Sequence, residues 1–200
     1  MFIQVVQGQV ADTPALKAAL DQWTRDLGPG ADGWLGTTAG VAVGDEFIAL
    51  VRFASAEAAR RNSDRPAQHQ WWMETAKLFS GAVTFSDCDQ VATFLRGGSD
   101  DAGFVQVLQG RVVNGPRVLE LLDGSAGPLA AFRPEIVGGT VAMHDDAFTE
   151  AVYFTDEAAA RHGEGRQRPP ELEAMFDEMM SLLEDVRYLD LPQPWFASPR

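Results

Sequence analysis

Between residues 62 and 72 the chain gathers side chains able to hold and act on a small molecule: Asn62, Ser63, Arg65, His69, Trp71 and Trp72. A histidine here would serve as a general base if its pKa lay near neutrality and it reached a substrate proton at about 3 Å. The plainer alternative is a solvated imidazole at a polar helix start, with Trp72 as core beneath that helix and Trp71 as its partly exposed neighbour. Gln4 and Gln7 lie on a strand and must point to opposite sheet faces, so one of them can line a cavity while the other pairs elsewhere. A buried amide left unpaired costs about 1 to 3 kcal/mol. Arg52 either anchors an anionic group or is an edge-strand charge.

Several chemistries are argued against. His69, His144 and His162 are scattered, with no i, i+4 pair and no cysteine partner, so a metal site is not expected. Glycine-rich phosphate loops and a Gly-x-Ser-x-Gly elbow are missing from the sequence. Lys and Arg number 16 against 29 Asp and Glu, a formal charge of −13. Such a surface repels nucleic acid and anionic membranes and leaves a small neutral or cationic molecule as the expected partner. Cys88 is the single cysteine, so no intrachain disulfide can form, and a reducing cytoplasm is the expected location. The opening residues lack the basic and apolar regions of a signal peptide and read as a first strand. Arginine dominates the basic residues and Ala and Gly abound, as in high-GC bacteria.

The elements that must position these residues come in two copies. Phe2-Ile-Gln-Val-Val-Gln-Gly8 returns as Phe104-Val-Gln-Val-Leu-Gln-Gly110, and Pro14, Leu20, Gly36, Phe47, Phe53 and Arg60 return as Pro116, Leu122, Gly138, Phe148, Phe154 and Arg161. One position drops out near residue 44. A period of about a hundred residues makes each copy a small domain rather than a solenoid unit. Each copy reads strand, helix, strand, strand, helix, strand, the ferredoxin-like βαββαβ order. The fold class expected is α+β, with two such repeats forming an intrachain pseudo-dimeric α/β barrel in a monomer; a further homodimer is left open. Residues 1–95 would be the first repeat, 96–103 a linker, 104–191 the second repeat and 192–200 an irregular tail pinned by Trp195 and Phe196. Gly124, Gly127 and Pro128 predict a kink or break in the second repeat's first helix. Its last helix carries a stripe of Leu172, Met175, Phe176, Met179 and Leu183.

The opening strand, the strand Phe47 to Phe53, the helix start Ser55-Ala-Glu-Ala-Ala-Arg60 and the run Asn62-Ser-Asp-Arg-Pro66 leading to Gln70-Trp-Trp72 together resemble the antibiotic biosynthesis monooxygenase-like domains of the dimeric α/β barrel superfamily. Phe148 to Phe154 followed by Asp156-Glu-Ala-Ala-Ala-Arg161 repeats the pattern. The resemblance implies a small-molecule-binding barrel working without metal or organic cofactor, and a cofactor-independent oxygenase acting on a phenol or quinol. Asn62 and Arg65 would stabilise a phenolate, His69 would complete the catalytic set, and Trp71, Trp72, Gln4, Gln7 and Arg52 would contact ligand. The alternatives are a non-catalytic ligand-binding or structural barrel and, third, a haem-binding or haem-degrading protein, which the scattered histidines disfavour. Asn62, His69, Trp71 and Trp72 have no counterparts in the second copy, so a working pocket is expected in the first. A cavity of about 300 Å³ bordered by Asn62, Arg65 or Trp72 would favour it.

Overall fold

The computed structural model of the chain describes residues 1–199. The order is β1 (Phe2–Gln9), α1 (Thr13–Asp26), β2 (Trp34–Ala42), β3 (Glu46–Phe53), α2 (Ala56–Ser63), α3 (Pro66–Thr75) and β4 (Thr84–Cys88). It continues with β5 (Gln90–Leu95), β6 (Phe104–Val112), α4 (Gly115–Phe132), β7 (Ile136–His144), β8 (Ala147–Phe154), α5 (Glu157–Glu164), α6 (Pro170–Ser181), β9 (Leu183–Leu191) and β10 (Trp195–Ala197). The strands form two antiparallel sheets, ordered β10-β2-β3-β1-β4 and β5-β7-β8-β6-β9. Each sheet holds one ferredoxin-like repeat, and the fold is α+β.

Local chemistry repeats with the sequence. Asp12 caps α1 by accepting from the Ala15 amide at 2.9 Å, and Asn114 caps α4 by accepting from Arg117 at 3.2 Å, each with a proline in the first turn. Ser55 and Asp156 cap α2 and α5 in the same way. Each cap satisfies an amide that the first helical turn leaves unpaired, worth about 1 kcal/mol. Trp34/Gly36 and Ile136/Gly138 carry matching register shifts. The dropped position lies in the hairpin turn: three residues separate Ala42 from Glu46, and two separate His144 from Ala147.

Three expectations are corrected. The chain divides into one unit of Met1–Asp89 plus the segment from Gln193 onward, and a second of Gln90–Pro192. Gln90–Leu95, read as the end of the first repeat, instead pairs with β7 in the second sheet. Residues 195–197, read as irregular tail, pair with β2 in the first. Each sheet thus takes its fifth strand from the segment that follows the other repeat. The physical reason is edge satisfaction, since β2 and β7 would otherwise present unpaired backbone. The break expected in α4 is also absent, because the helix continues through Gly124, Gly127 and Pro128. Gly124 and Pro128 are exposed, so water can take the carbonyl that the proline ring leaves without a donor.

In the first unit Val6, Leu16, Phe47, Ala49 and Phe79 form one core cluster, and Phe2, Trp23, Trp34 and Phe53 another. In the second, Val112, Val118, Val141, Met143 and Phe148 pack together, beside a smaller cluster at Phe104 and Phe154.

Candidate functional site

The helix-covered face of the first sheet carries a cavity of about 310 Å³. Its floor is Gln4 and Val6 of β1 with Phe47, Ala49, Val51 and Phe53 of β3, and its roof comes from α1, the end of α2, and α3. Of the nine residues singled out from sequence, six line it: Asn62, Ser63, His69, Trp71, Trp72 and Gln4. Arg65, Gln7 and Arg52 lie outside the lining.

The aromatic residues form a continuous series. Trp23 stands 5.0 Å from Trp34 edge to face, 6.3 Å from Trp71, and Trp71 is 6.2 Å from Trp72. Trp72 meets Phe85 edge to face at 5.0 Å. Three indole N–H groups are already used: Trp71 donates to the Ala19 carbonyl at 3.2 Å, Trp23 to Gln68 Oε1 at 2.5 Å and Trp34 to Thr37 Oγ1 at 3.1 Å. Trp23 and Gln68 were not singled out from sequence; their signal was the helical spacing of Trp23 toward the same face as Leu16 and Leu20.

Asn62 is buried, and its Oδ1 accepts from Arg65 at 2.8 Å. With Arg65 on that oxygen, the Asn62 amide nitrogen is the group that can donate to a ligand. Arg65 also donates to the Leu27 carbonyl at 3.0 Å, at the end of α1. Its counterpart Arg166 donates to the Phe132 carbonyl at 3.1 Å, at the end of α4. Recurrence in both copies marks this arginine as a tie for helix ends, acting on the site through Asn62. At the position of Asn62 the second unit has Gly163, where a Cβ would stand 1.8 Å from Glu135 Oε1. The buried Arg133–Glu135 ion pair fills that space. Burial would raise the Glu135 carboxyl, but hydrogen bonding and charge from Arg133 and Arg166 bring it below its ordinary value.

His69 is exposed at the rim. Gln4 donates to Asp87 Oδ1 at 2.9 Å, and its counterpart Gln106 donates to Asp190 Oδ1 at 3.0 Å. That shared cross-strand pair belongs to the repeat. Gln7 donates to Glu46 at 3.4 Å, and Gln109 to Thr149 at 3.0 Å; strand alternation puts both on the face away from the helices. Arg52 donates to Thr38 Oγ1 at 2.8 Å on that same face.

The second unit holds a larger cavity, about 570 Å³, which sequence reasoning missed. All five residues of the Leu172 to Leu183 stripe line it, so the stripe borders a void instead of solid core. Among its floor residues is Glu150 of β8, flanked across the ladder by Leu108 and Val141. Its side chain is half-buried in the cavity lining, and burial raises its carboxyl to about 7. Among the described residues no hydrogen bond or ion pair reaches that carboxyl. The first unit has Ala49 in the same place. A glutamate in the apolar strand Phe148-Thr-Glu-Ala-Val-Tyr-Phe154 was the available signal.

Neither a family model nor a curated protein matches the sequence. Solved structures do. A candidate monooxygenase from Lactobacillus acidophilus NCFM is similar with TM-score 0.72 at 13% identity, over 98% of this chain and 95% of that one. Another from Fusobacterium nucleatum gives 0.72 at 10% identity, over 98% and 94%. An anthrone oxidase-like protein gives 0.65 at 12% identity, over 99% and 94%. At such identities the likeness is one of fold. The chain therefore has the tandem ferredoxin-like fold of these monooxygenase-like proteins.

Proposed function

We propose that the protein binds an apolar, ring-bearing small molecule in the first unit's cavity and acts on it as a cofactor-independent oxygenase, with a phenol or quinol as substrate. The observation that carries this reading is the cavity itself, in which a tryptophan series adjoins one buried amide donor. A flat guest stacks on Trp71 or Trp72 while its oxygen accepts from Asn62. As the phenol loses its proton, that bond is charge-assisted and strengthens, so the anion gains more than the neutral ligand. The electron-rich ring can then reduce dioxygen itself. In this reading His69, exposed at the rim, passes the proton to solvent. Arg65 is a positioning residue that fixes the Asn62 amide. The monooxygenase-like fold of the solved neighbours supports the reaction class.

The test is a thermal-shift screen of quinols and polyphenols, followed by binding and oxygen-uptake measurements. Trp72→Leu should weaken a bound ring about fivefold or more, from the loss of about 1 kcal/mol of stacking. Asn62→Ala should reduce oxygen uptake more than binding. Phe176→Leu in the second unit should change neither. Binding without oxygen uptake in the wild type would leave a ligand-binding protein and remove the oxygenase; hits lost only with Phe176→Leu would remove the site.

A further inference from the structure

The second unit's cavity differs from the first in chemistry as well as size. Leu121, Leu122, Leu129, Met175 and Met179 lie above the sheet, beside Phe132 and Phe176, and no tryptophan is in the lining. Flexible methionines adapt to varied apolar shapes. On its floor Gln106 is paired with Asp190, whereas among the described residues no hydrogen bond or ion pair reaches the Glu150 carboxyl. A carboxyl in such a place costs stability unless something pairs with it, and the equivalent Ala49 shows that the repeat does not require it. Residues that a fold must have recur in both copies. Glu150 does not.

The remaining charged groups around this cavity are spoken for. Arg133 pairs with Glu135, Arg161 with Asp190, Glu157 and Glu164, and Arg168 with Glu173 at 3.6 Å while lying over the Phe176 ring. Tyr188 completes the titratable lining. Among the described residues no arginine lining this cavity lacks a carboxylate partner to leave it for an anionic ligand, which Glu150 would in any case repel. A cation would find an uncompensated carboxylate in a low-dielectric wall, where charge pairing is strongest.

We propose that the second unit's cavity is a separate binding site for an elongated apolar molecule carrying one basic nitrogen, which pairs with the Glu150 carboxylate. The site is independent of the oxygenase reading. All five tryptophans, at 23, 34, 71, 72 and 195, belong to the first unit, so binding here should leave tryptophan emission unchanged.

The experiment compares dodecylamine, dodecanol and dodecanoate, below their aggregation concentrations, by calorimetry at pH 8 in salt high enough to screen surface charge. The amine should bind at least about tenfold more tightly than the alcohol, equivalent to about 1.4 kcal/mol, and the carboxylate most weakly. Its affinity should fall about tenfold per pH unit below the Glu150 titration, because the ammonium then has to displace a proton. Glu150→Gln, nearly the same shape, should bring amine and alcohol within about twofold of each other. Glu150→Ala, which copies the first unit, should do likewise if the glutamine variant fails to fold. Equal affinity for amine and alcohol in the wild type, an amine preference that survives both substitutions, no binding of any probe, or amine binding that quenches tryptophan and is lost with Trp72→Leu would each overturn the proposal.

Discussion

Glu150 can be tested without any ligand. Its folded carboxyl titrates near 7, against 4.5 as the ordinary value. Below 4.5 both folded and unfolded chains hold the proton, and folding loses nothing. Between there and about 7 the unfolded chain ionises while the folded one does not, so stability falls as pH rises and then levels off. Glu150→Gln removes that loss. Urea unfolding should find the variant equal to wild type at pH 4 and more stable by up to about 3 kcal/mol at pH 8. An advantage over wild type no greater at pH 8 than at pH 4 would mean that the carboxyl is solvated. Glu135 carries the opposite sign, since a lowered carboxyl contributes stability that is lost on acidification. The residue scale was also the hardest to read from sequence. Tryptophans drew attention to the first unit because aromatic side chains are conspicuous; leucines and methionines bordering a void look the same in sequence as leucines filling a core. Arg65 looked catalytic by type, yet its recurrence as Arg166 was visible in the sequence and pointed to the helix-end tie.

Elements were more legible, because their causes are local. Caps, N-terminal prolines and strand alternation recur in both copies, and the missing position near residue 44 fell in a hairpin turn, where length can vary without disturbing the ladder. Partner choice for β5 and β10 was not legible, since short edge strands carry no pattern that names their neighbour. Glycines separate the two kinds of constraint. A Cβ on Gly138 would stand 2.1 Å from the Gly97 carbonyl oxygen, where backbone would have to move. Gly138→Ala should therefore cost about 1 to 3 kcal/mol and free the β5 edge. Gly124, within α4, faces open space, and Gly124→Ala should stabilise by up to about 1 kcal/mol. Thermal melts and amide exchange at residues 90–95 would measure both, and a harmless Gly138→Ala would show that β5 docks loosely.

For the molecule as a whole, the division into two repeats follows from the sequence period, while the crossed fifth strands do not. Trp195 of β10 packs 6.2 Å from Phe47, within the first unit. Deleting residues 193–200 should accordingly destabilise the first unit, lowering the urea midpoint seen by the remaining tryptophans. Tyr153 and Tyr188, both in the second unit, should report an unchanged midpoint there. Equal shifts in both signals would argue that the strand supports the chain generally. During synthesis on the ribosome, residues 195–197 emerge only after the entire second repeat. Until then β2 waits with one side of its backbone unpaired, an open template for a neighbouring nascent chain. The first repeat to be made is thus closed only after the second, and its exposure to misassembly lasts at least as long as the translation of that second repeat.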